Sequence, residues 1–339
     1  MAALSPHAPR LEAQAAVSVR AAGRLHLGFL DPSATLGRRF GSLGLVIEGH
    51  ETEVDIAPAR ADALLADGAA AEAELVRAAA HLQRLRERTG LRSPLVLHLR
   101  SVLPAHAGYG SGTQLALGIG RAFARCHGLE VPTATIASWL GRGQRSGIGI
   151  AGFDQGGLIV DGGPGADGAP AAVIARLSLP EAWRIVVVED PRRRGLSGDE
   201  ERAAIQRLAP LSQAQAAEVC HRVLMQVLAG AAGAEFAPFA AGLGRVQELL
   251  GSHFAPAQNG SPWTSAAVGA ALNAVRGAAG GLAAIGQSSW GPTGFAIVPT
   301  AADAQALLDE VAPALDPALV VRVVAARNRG ATVADHALR

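Results

Sequence analysis

Apolar and polar positions mark the elements of this chain. Leu95 to Arg100 alternates around a branched apolar core and predicts a strand, while Leu115, Leu117, Ile119, Ala122 and Phe123 recur at helical spacing. Between them lies Pro-Ala-His-Ala-Gly-Tyr-Gly-Ser-Gly-Thr-Gln, residues 104–114. Upstream, Val17 to Arg20 reads as a strand leading into Arg24-Leu-His-Leu, and period-two alternation puts Arg24 and His26 on one face, either of a site or of a solvent-facing edge strand. Leu43 to Glu48 and Glu51 to Ala57 predict a hairpin turning at Gly49-His50. Ala70 to Arg88 is an amphipathic surface helix, and Pro132 starts another. A glycine-rich stretch, 141–157, carries Arg142, Arg145 and Asp154 before a strand at Leu158 to Val160.

After the Gly, Ala and Pro loop of 162–170, strands are expected at Ala172 to Leu177 and Arg184 to Glu189, then helices at 196–209, 213–229 and 236–250. Ser261 is the expected N-cap of a helix through Arg276, with Pro262 in its first turn. A polar glycine loop at 286–294 then joins two strands, a helix at Ala301 to Val311 and a strand at Leu319 to Ala325 follow, and 327–330 trails off. These elements make an α+β chain with a flexible tail at 1–14, a first lobe at 15–165 carrying the glycine loop, and a second at 166–339.

Composition narrows the chemistry. A content of 49% hydrophobic residues is ample for a packed core, and the longest apolar runs are too short to cross a bilayer, so a cytoplasmic protein without membrane contact is expected. Net charge +1 and 4% aromatic residues give no footprint for nucleic acid. Cys126 and Cys220 lack metal-ligand spacing and are expected as buried free thiols. All 30 basic residues are arginine, which excludes a Walker-type lysine loop and a pyridoxal Schiff base and leaves anion binding to guanidinium groups.

The loop at 104–114 sits where such binding is easiest. Gly108, Gly110 and Gly112 permit positive φ and close approach, and a helix opening at Ser111 points free amides and a partial positive charge at what the loop encloses, although a glycine loop can also be a tight turn. Asp154, ahead of Gly156-Gly157, is either a base on a pocket wall or an Asx turn.

Four segments, in order, carry a resemblance: Arg-Leu-His-Leu-Gly at 24–28; Gly-Ser-Gly-Thr-Gln at 110–114, closing Pro-x-x-x-Gly-x-Gly-Ser at 104–111; Arg-Ser-Gly-Ile-Gly-Ile-Ala-Gly-Phe-Asp-Gln-Gly-Gly at 145–157; and Gly-Gln-Ser-Ser-Trp-Gly-Pro-Thr at 286–293. The set resembles the GHMP small-molecule kinase superfamily from Val17 to Gly330 and, within it, the β-ribofuranosylaminobenzene 5′-phosphate synthases. Ser-Gly-Thr-Gln stands where the kinases usually carry Ser-Ser-Ala.

The resemblance implies a GHMP kinase-like two-lobed fold, with a ribosomal-protein-S5-like α/β N-terminal lobe and a ferredoxin-like α+β C-terminal lobe. It implies a transferase joining phosphoribosyl pyrophosphate to 4-aminobenzoate, with release of pyrophosphate and carbon dioxide, as the opening step of methanopterin biosynthesis. An ATP-dependent kinase using Asp154 as base, and a non-catalytic metabolite binder, are the alternatives. Gly108, Gly110, Ser111, Gly112, Thr113 and Gln114 are then the pyrophosphate cradle, and Asp154 the carboxylate that stabilises the oxocarbenium ion. Arg24 and His26 are to hold the substrate carboxylate or the 5′-phosphate, in competition with Arg142 and Arg145. Gln287, Ser288, Ser289 and Trp290 form the remaining wall, with Trp290 stacked on the ring or simply packed. Mg2+ is expected with the phosphoribosyl donor, with no organic cofactor, in a homodimer.

Overall fold

The computed structural model describes residues 16–165, 169–196 and 198–336, with the side chains of residues 199 and 202 left out of the description. The tail expected at 1–14 lies outside the described residues. In chain order the first elements are β1 (Ala16–Asp31), β2 (Phe40–Pro58), β3 (Ala63–Ala66), α1 (Ala69–Glu72), α2 (Leu75–Thr89), β4 (Leu95–Ser101), α3 (Ser111–Cys126), α4 (Thr133–Trp139), α5 (Ile148–Gln155), β5 (Leu158–Asp161) and β6 (Val173–Leu177). Then come β7 (Arg184–Glu189), α6 (Gly198–Arg207), α7 (Gln213–Arg222), a π-helical turn Val223–Leu228, α8 (Ala229–Ala232), α9 (Phe236–Phe254), α10 (Ala266–Ala279), β8 (Ala284–Gln287), β9 (Thr293–Val298), α11 (Ala301–Val311), β10 (Val320–Val324) and β11 (Thr332–His336).

Two sheets organise these elements. The larger runs β11-β1-β2-β4-β3, with β5 also on β2 and β6 on β5; the smaller runs β10-β7-β9-β8. Strands from both sides of residue 165 therefore share the first sheet. The hairpin expected at Gly49-His50 is corrected: β2 is one strand of 19 residues. Its partner β1 spans nearly the same length, from Val17 opposite Ile56 to Asp31 opposite Phe40, and register shifts at Ala22/Arg24 and His26/Gly28 absorb the irregularity. β1 is thus an interior strand, and the solvent-facing alternative for Arg24 and His26 falls away.

The apolar positions fill three layers. Leu115, Leu117, Ile119 and Phe123 of α3 pack on Val19, Val54 and Leu97 of the first sheet. Leu25, Leu43, Val187, Phe239 and Phe295 form one cluster that joins β1, β2, α9 and the second sheet. α10 and α11 cover the opposite face of that sheet through Leu272, Val275 and Leu307. Truncating Phe123 to Ala removes a fully buried ring and costs about 3–5 kcal/mol.

Three other features differ from the expectation. α10 starts at Ala266 under Ser265, whose Oγ accepts the Val268 N–H at 3.3 Å, because Ser261 instead closes a local turn by accepting the Trp263 N–H. The stretch 327–330 does not trail away: Arg327 is buried and paired with Glu48 and Glu51, and β11 follows it onto β1. Cys126 is half-buried and Cys220 exposed, both unpaired, rather than both buried. Among the described residues no helix is long and apolar enough to cross a membrane.

Candidate active site

The connection from β4 to α3 is built around glycine. Gly108 (φ +101°) and Gly110 (φ +73°) occupy left-handed backbone, and a Cβ on Gly108 would lie 2.6 Å from the Ser288 carbonyl oxygen. Gly110 is the N-cap of α3, so the first amides of the helix, at Ser111 and Gly112, have no partner within it. The loop is clamped from behind by Tyr109. Its buried hydroxyl donates to Glu189 Oε1 at 2.5 Å, the same oxygen that meets His50 Nε2 at 2.7 Å, and its carbonyl accepts the Arg24 N–H at 3.1 Å.

A cleft of about 660 Å³ opens in front of these amides, and five guanidinium groups line it: Arg24, Arg39, Arg77, Arg142 and Arg145. Glu201 is the one carboxylate among the described lining residues, and it pairs with Arg145 at 2.7 Å. Arg24 Nη1 donates to the Gly108 carbonyl at 2.9 Å. Arg24 Nε, Arg142 Nε and Arg145 Nη1, by contrast, are buried with no hydrogen-bond partner. Burial, opposed by Glu201, brings Arg24 down to about 10, and Arg142 is lowered by burial and by the charges of Arg77 and Arg84. Buried cations with free N–H groups are costly unless an anion completes them.

His26 stands beside Arg24 in a different state. Burial foremost, then the charges of Arg24 and Arg145, push its imidazole down to about 3, so it is neutral near pH 7. Its Nδ1 accepts the Gly28 N–H at 3.3 Å, which assigns the proton to Nε2, and that atom is buried without a partner. His26 is therefore a neutral donor.

The late loop braces this arrangement. Ser288 Oγ accepts the His26 backbone N–H at 2.9 Å and donates to the Gly108 carbonyl at 2.8 Å, tying β1, the glycine loop and the end of β8 together. Ser289 (φ +54°) donates its N–H to the His26 carbonyl at 3.1 Å. Trp290 is buried against Phe254, with ring centroids 4.7 Å apart, and still lines the cleft.

The structure thus gathers Arg24, His26, Gly108, Gly110, Ser111, Gly112, Thr113, Arg142, Arg145, Ser289 and Trp290 around one cleft. Ser288 is a staple beneath its surface, and Gln287 lines a neighbouring cavity. Gln114 is buried and donates to the Gly149 carbonyl at 3.0 Å, behind the cleft surface. Asp154 lies apart from this cleft. The stretch 148–155 is the helix α5, whose approach at Ser146 faces the cleft, and Asp154 lies at the far end, about 9 Å further along the axis. Its carboxylate accepts the Thr133 hydroxyl at 2.5 Å, and it lines neither cavity. Phe29, Arg77 and Glu201 are lining residues that the sequence reading missed; Phe29 falls in phase with Arg24 and His26 only through the bulge at His26/Gly28, and Glu201 carries no local signal.

The model of the GHMP kinases N terminal domain matches residues 73–160, which include the glycine loop, α3 and α5. A beta-ribofuranosylphenol 5'-phosphate synthase of Archaeoglobus fulgidus is 34% identical over 243 residues, covering 68% of this chain and 75% of the relative. The chain belongs to the beta-ribofuranosylphenol 5'-phosphate synthase family. A second synthase of that name, from Methanothermobacter thermautotrophicus, is 28% identical over 328 residues, 91% of this chain and 95% of the relative. The homoserine kinase of Cytophaga hutchinsonii superposes with a TM-score of 0.64 at 17% identity, covering 97% of this chain and 100% of its own. This synthase-family chain therefore has the two-lobed α+β GHMP kinase fold.

Proposed function

We propose that this chain joins C1 of phosphoribosyl pyrophosphate to the carboxylate-bearing carbon of a para-substituted benzoate. The observation that carries the reading is the convergence of buried, unpartnered guanidinium N–H groups of Arg24, Arg142 and Arg145 on the open N-terminus of α3, a site for several negative charges built without a lysine. The amides of Ser111 and Gly112 and the hydroxyls of Ser111 and Thr113 receive the pyrophosphate.

The C1–O bond breaks with its electron pair leaving on pyrophosphate. The ring carbon attacks C1, and the bond to the carboxylate breaks, returning its pair to the ring as carbon dioxide departs. The sequence put Asp154 opposite the developing positive charge; Glu201, the carboxylate inside the cleft, takes that role. The relatives are named for a phenol product, so 4-hydroxybenzoate joins the 4-aminobenzoate expected from the sequence as an acceptor to test. Either para group donates electrons to the attacking carbon.

Mg2+ would arrive on the pyrophosphate, where the hydroxyls of Ser111 and Thr113 would help to hold it, and it would offset charge on the leaving group. A homodimer is also proposed, through the exposed Leu224 and Met225 of the π-helical turn, with sedimentation equilibrium as its test.

Purified protein with Mg2+, phosphoribosyl pyrophosphate and carboxyl-labelled 4-hydroxybenzoate is expected to release labelled carbon dioxide and pyrophosphate in equal amounts. ADP formation from ATP with an alcohol acceptor, and no carbon dioxide, would replace this reading with a kinase.

A further inference from the structure

A second cavity, of about 400 Å³, lies behind the late loop between α9, α10 and β8, and shares His26, Phe29, Ser289 and Trp290 with the arginine cleft. We propose that this cavity seats the planar aromatic acid, ring inside and carboxylate at the wall shared with the cleft. This rests on the reaction proposed above and adds where the second substrate lies.

Charge separates the two spaces. Five arginines line the cleft, whereas the second cavity has Arg276, exposed on α10, and the exposed Glu248 of α9. A polyanion belongs in the first and an apolar ring in the second. The chain holds four Trp and eight Phe, and Phe29, Phe254, Trp263 and Trp290 line this cavity, giving an aromatic ring apolar faces to stack on.

The chemistry fixes the orientation. The carbon that bears the carboxylate must reach ribose C1, so the carboxylate end has to touch the shared wall. There His26 Nε2, buried and unpartnered, supplies an N–H donor to a carboxylate oxygen. His26, lining both spaces, thereby holds the carboxylate beside the cleft and takes no proton from either substrate.

The test fills the cavity from two exposed lining positions on different helices, Ser252 on α9 and Asn273 on α10. Ser252→Trp and Asn273→Trp, checked for native circular dichroism, are each expected to raise KM for 4-hydroxybenzoate at least about tenfold, the scale of 1.4 kcal/mol of lost binding, with KM for phosphoribosyl pyrophosphate unchanged. The same variants are titrated with 4-hydroxybenzoate alone, read by tryptophan-independent calorimetry. Should the wild type bind the acid without turning it over, and both variants lose that binding, the cavity stands and the reaction falls. Turnover in the wild type with both variants within about twofold in acid KM overturns the cavity and leaves the reaction. An equal rise in KM for the phosphoribosyl donor also overturns it.

Discussion

Gly110→Ala probes the joint between the glycine loop and the arginine cleft. Gly110 holds φ +73°, where a side chain costs about 1–2 kcal/mol. The added Cβ would lie 2.8 Å from Arg24 Cζ and 3.0 Å from Nη1. Ordinary carbon contacts begin near about 3.5 Å, so the guanidinium must retreat by roughly 0.5–0.7 Å. Arg24 is half-buried and bonded to the Gly108 carbonyl, so a retreat breaks that bond or carries the guanidinium into the cleft where the donor would lie. A misplacement approaching 1 Å in a positioned group costs up to about a hundredfold in rate. The expected outcome is a fall of about 10- to 100-fold in kcat/KM for phosphoribosyl pyrophosphate, measured by carbon dioxide release, with a loss of about 1–3 kcal/mol in urea unfolding. Gly90→Ala is the control: Gly90 has φ +76° with nothing within 4 Å of a Cβ, so it carries the dihedral cost alone and keeps full activity. If Gly110→Ala retains kcat/KM within about twofold of that control, Arg24 does not meet the donor.

Ser288→Ala leaves the His26 backbone N–H buried without an acceptor and should cost about 1–3 kcal/mol of stability by chemical denaturation; a change under about 0.5 kcal/mol would remove Ser288 as the staple of the three segments. Asp154→Asn, which on the sequence reading should lose product formation about a hundredfold, is expected from its position to keep kcat within about threefold, and a hundredfold loss would return Asp154 to the mechanism. His81, buried on α2 with neither ring nitrogen partnered, is lowered to about 4 by burial and then by Arg142, Arg84 and Arg77. The unfolded chain binds the extra proton at higher pH, so this group's contribution is whole above pH 6.5 and is lost as pH falls toward 4, about 2 kcal/mol of it between pH 7 and pH 5. His81→Leu should flatten that part of the stability curve; parallel curves for the two proteins would contradict the assignment.

The glycine loop and α3 were legible because both signals are local: helical spacing from Leu115 to Phe123, and glycines at positions that need left-handed backbone. The glycines of 147–152 misled for the opposite reason. A Cβ on Gly149 would meet Thr113 Cγ2 at 3.1 Å and one on Gly152 would meet Val46 Cγ2 at 2.7 Å, so these glycines let α5 pack closely and do not open a loop. Asp154, read as a loop residue at a pocket, was carried away with them. Gly49-His50 resembles a turn in isolation, and only the length of β1 keeps β2 continuous. The second cavity was invisible because its aromatic walls come from β1, α9, the segment after it and the late loop, residues brought together by the packing of the second lobe against the first.

The cleft at the start of α3 as the seat of the pyrophosphate is tested most directly by calorimetric titration of phosphoribosyl pyrophosphate with Mg2+ into the wild type and Ser111→Trp. The wild type should bind it at one site per chain and release it to inorganic pyrophosphate, and the variant should show no binding. Unchanged affinity in Ser111→Trp would place the donor elsewhere and contradict the account.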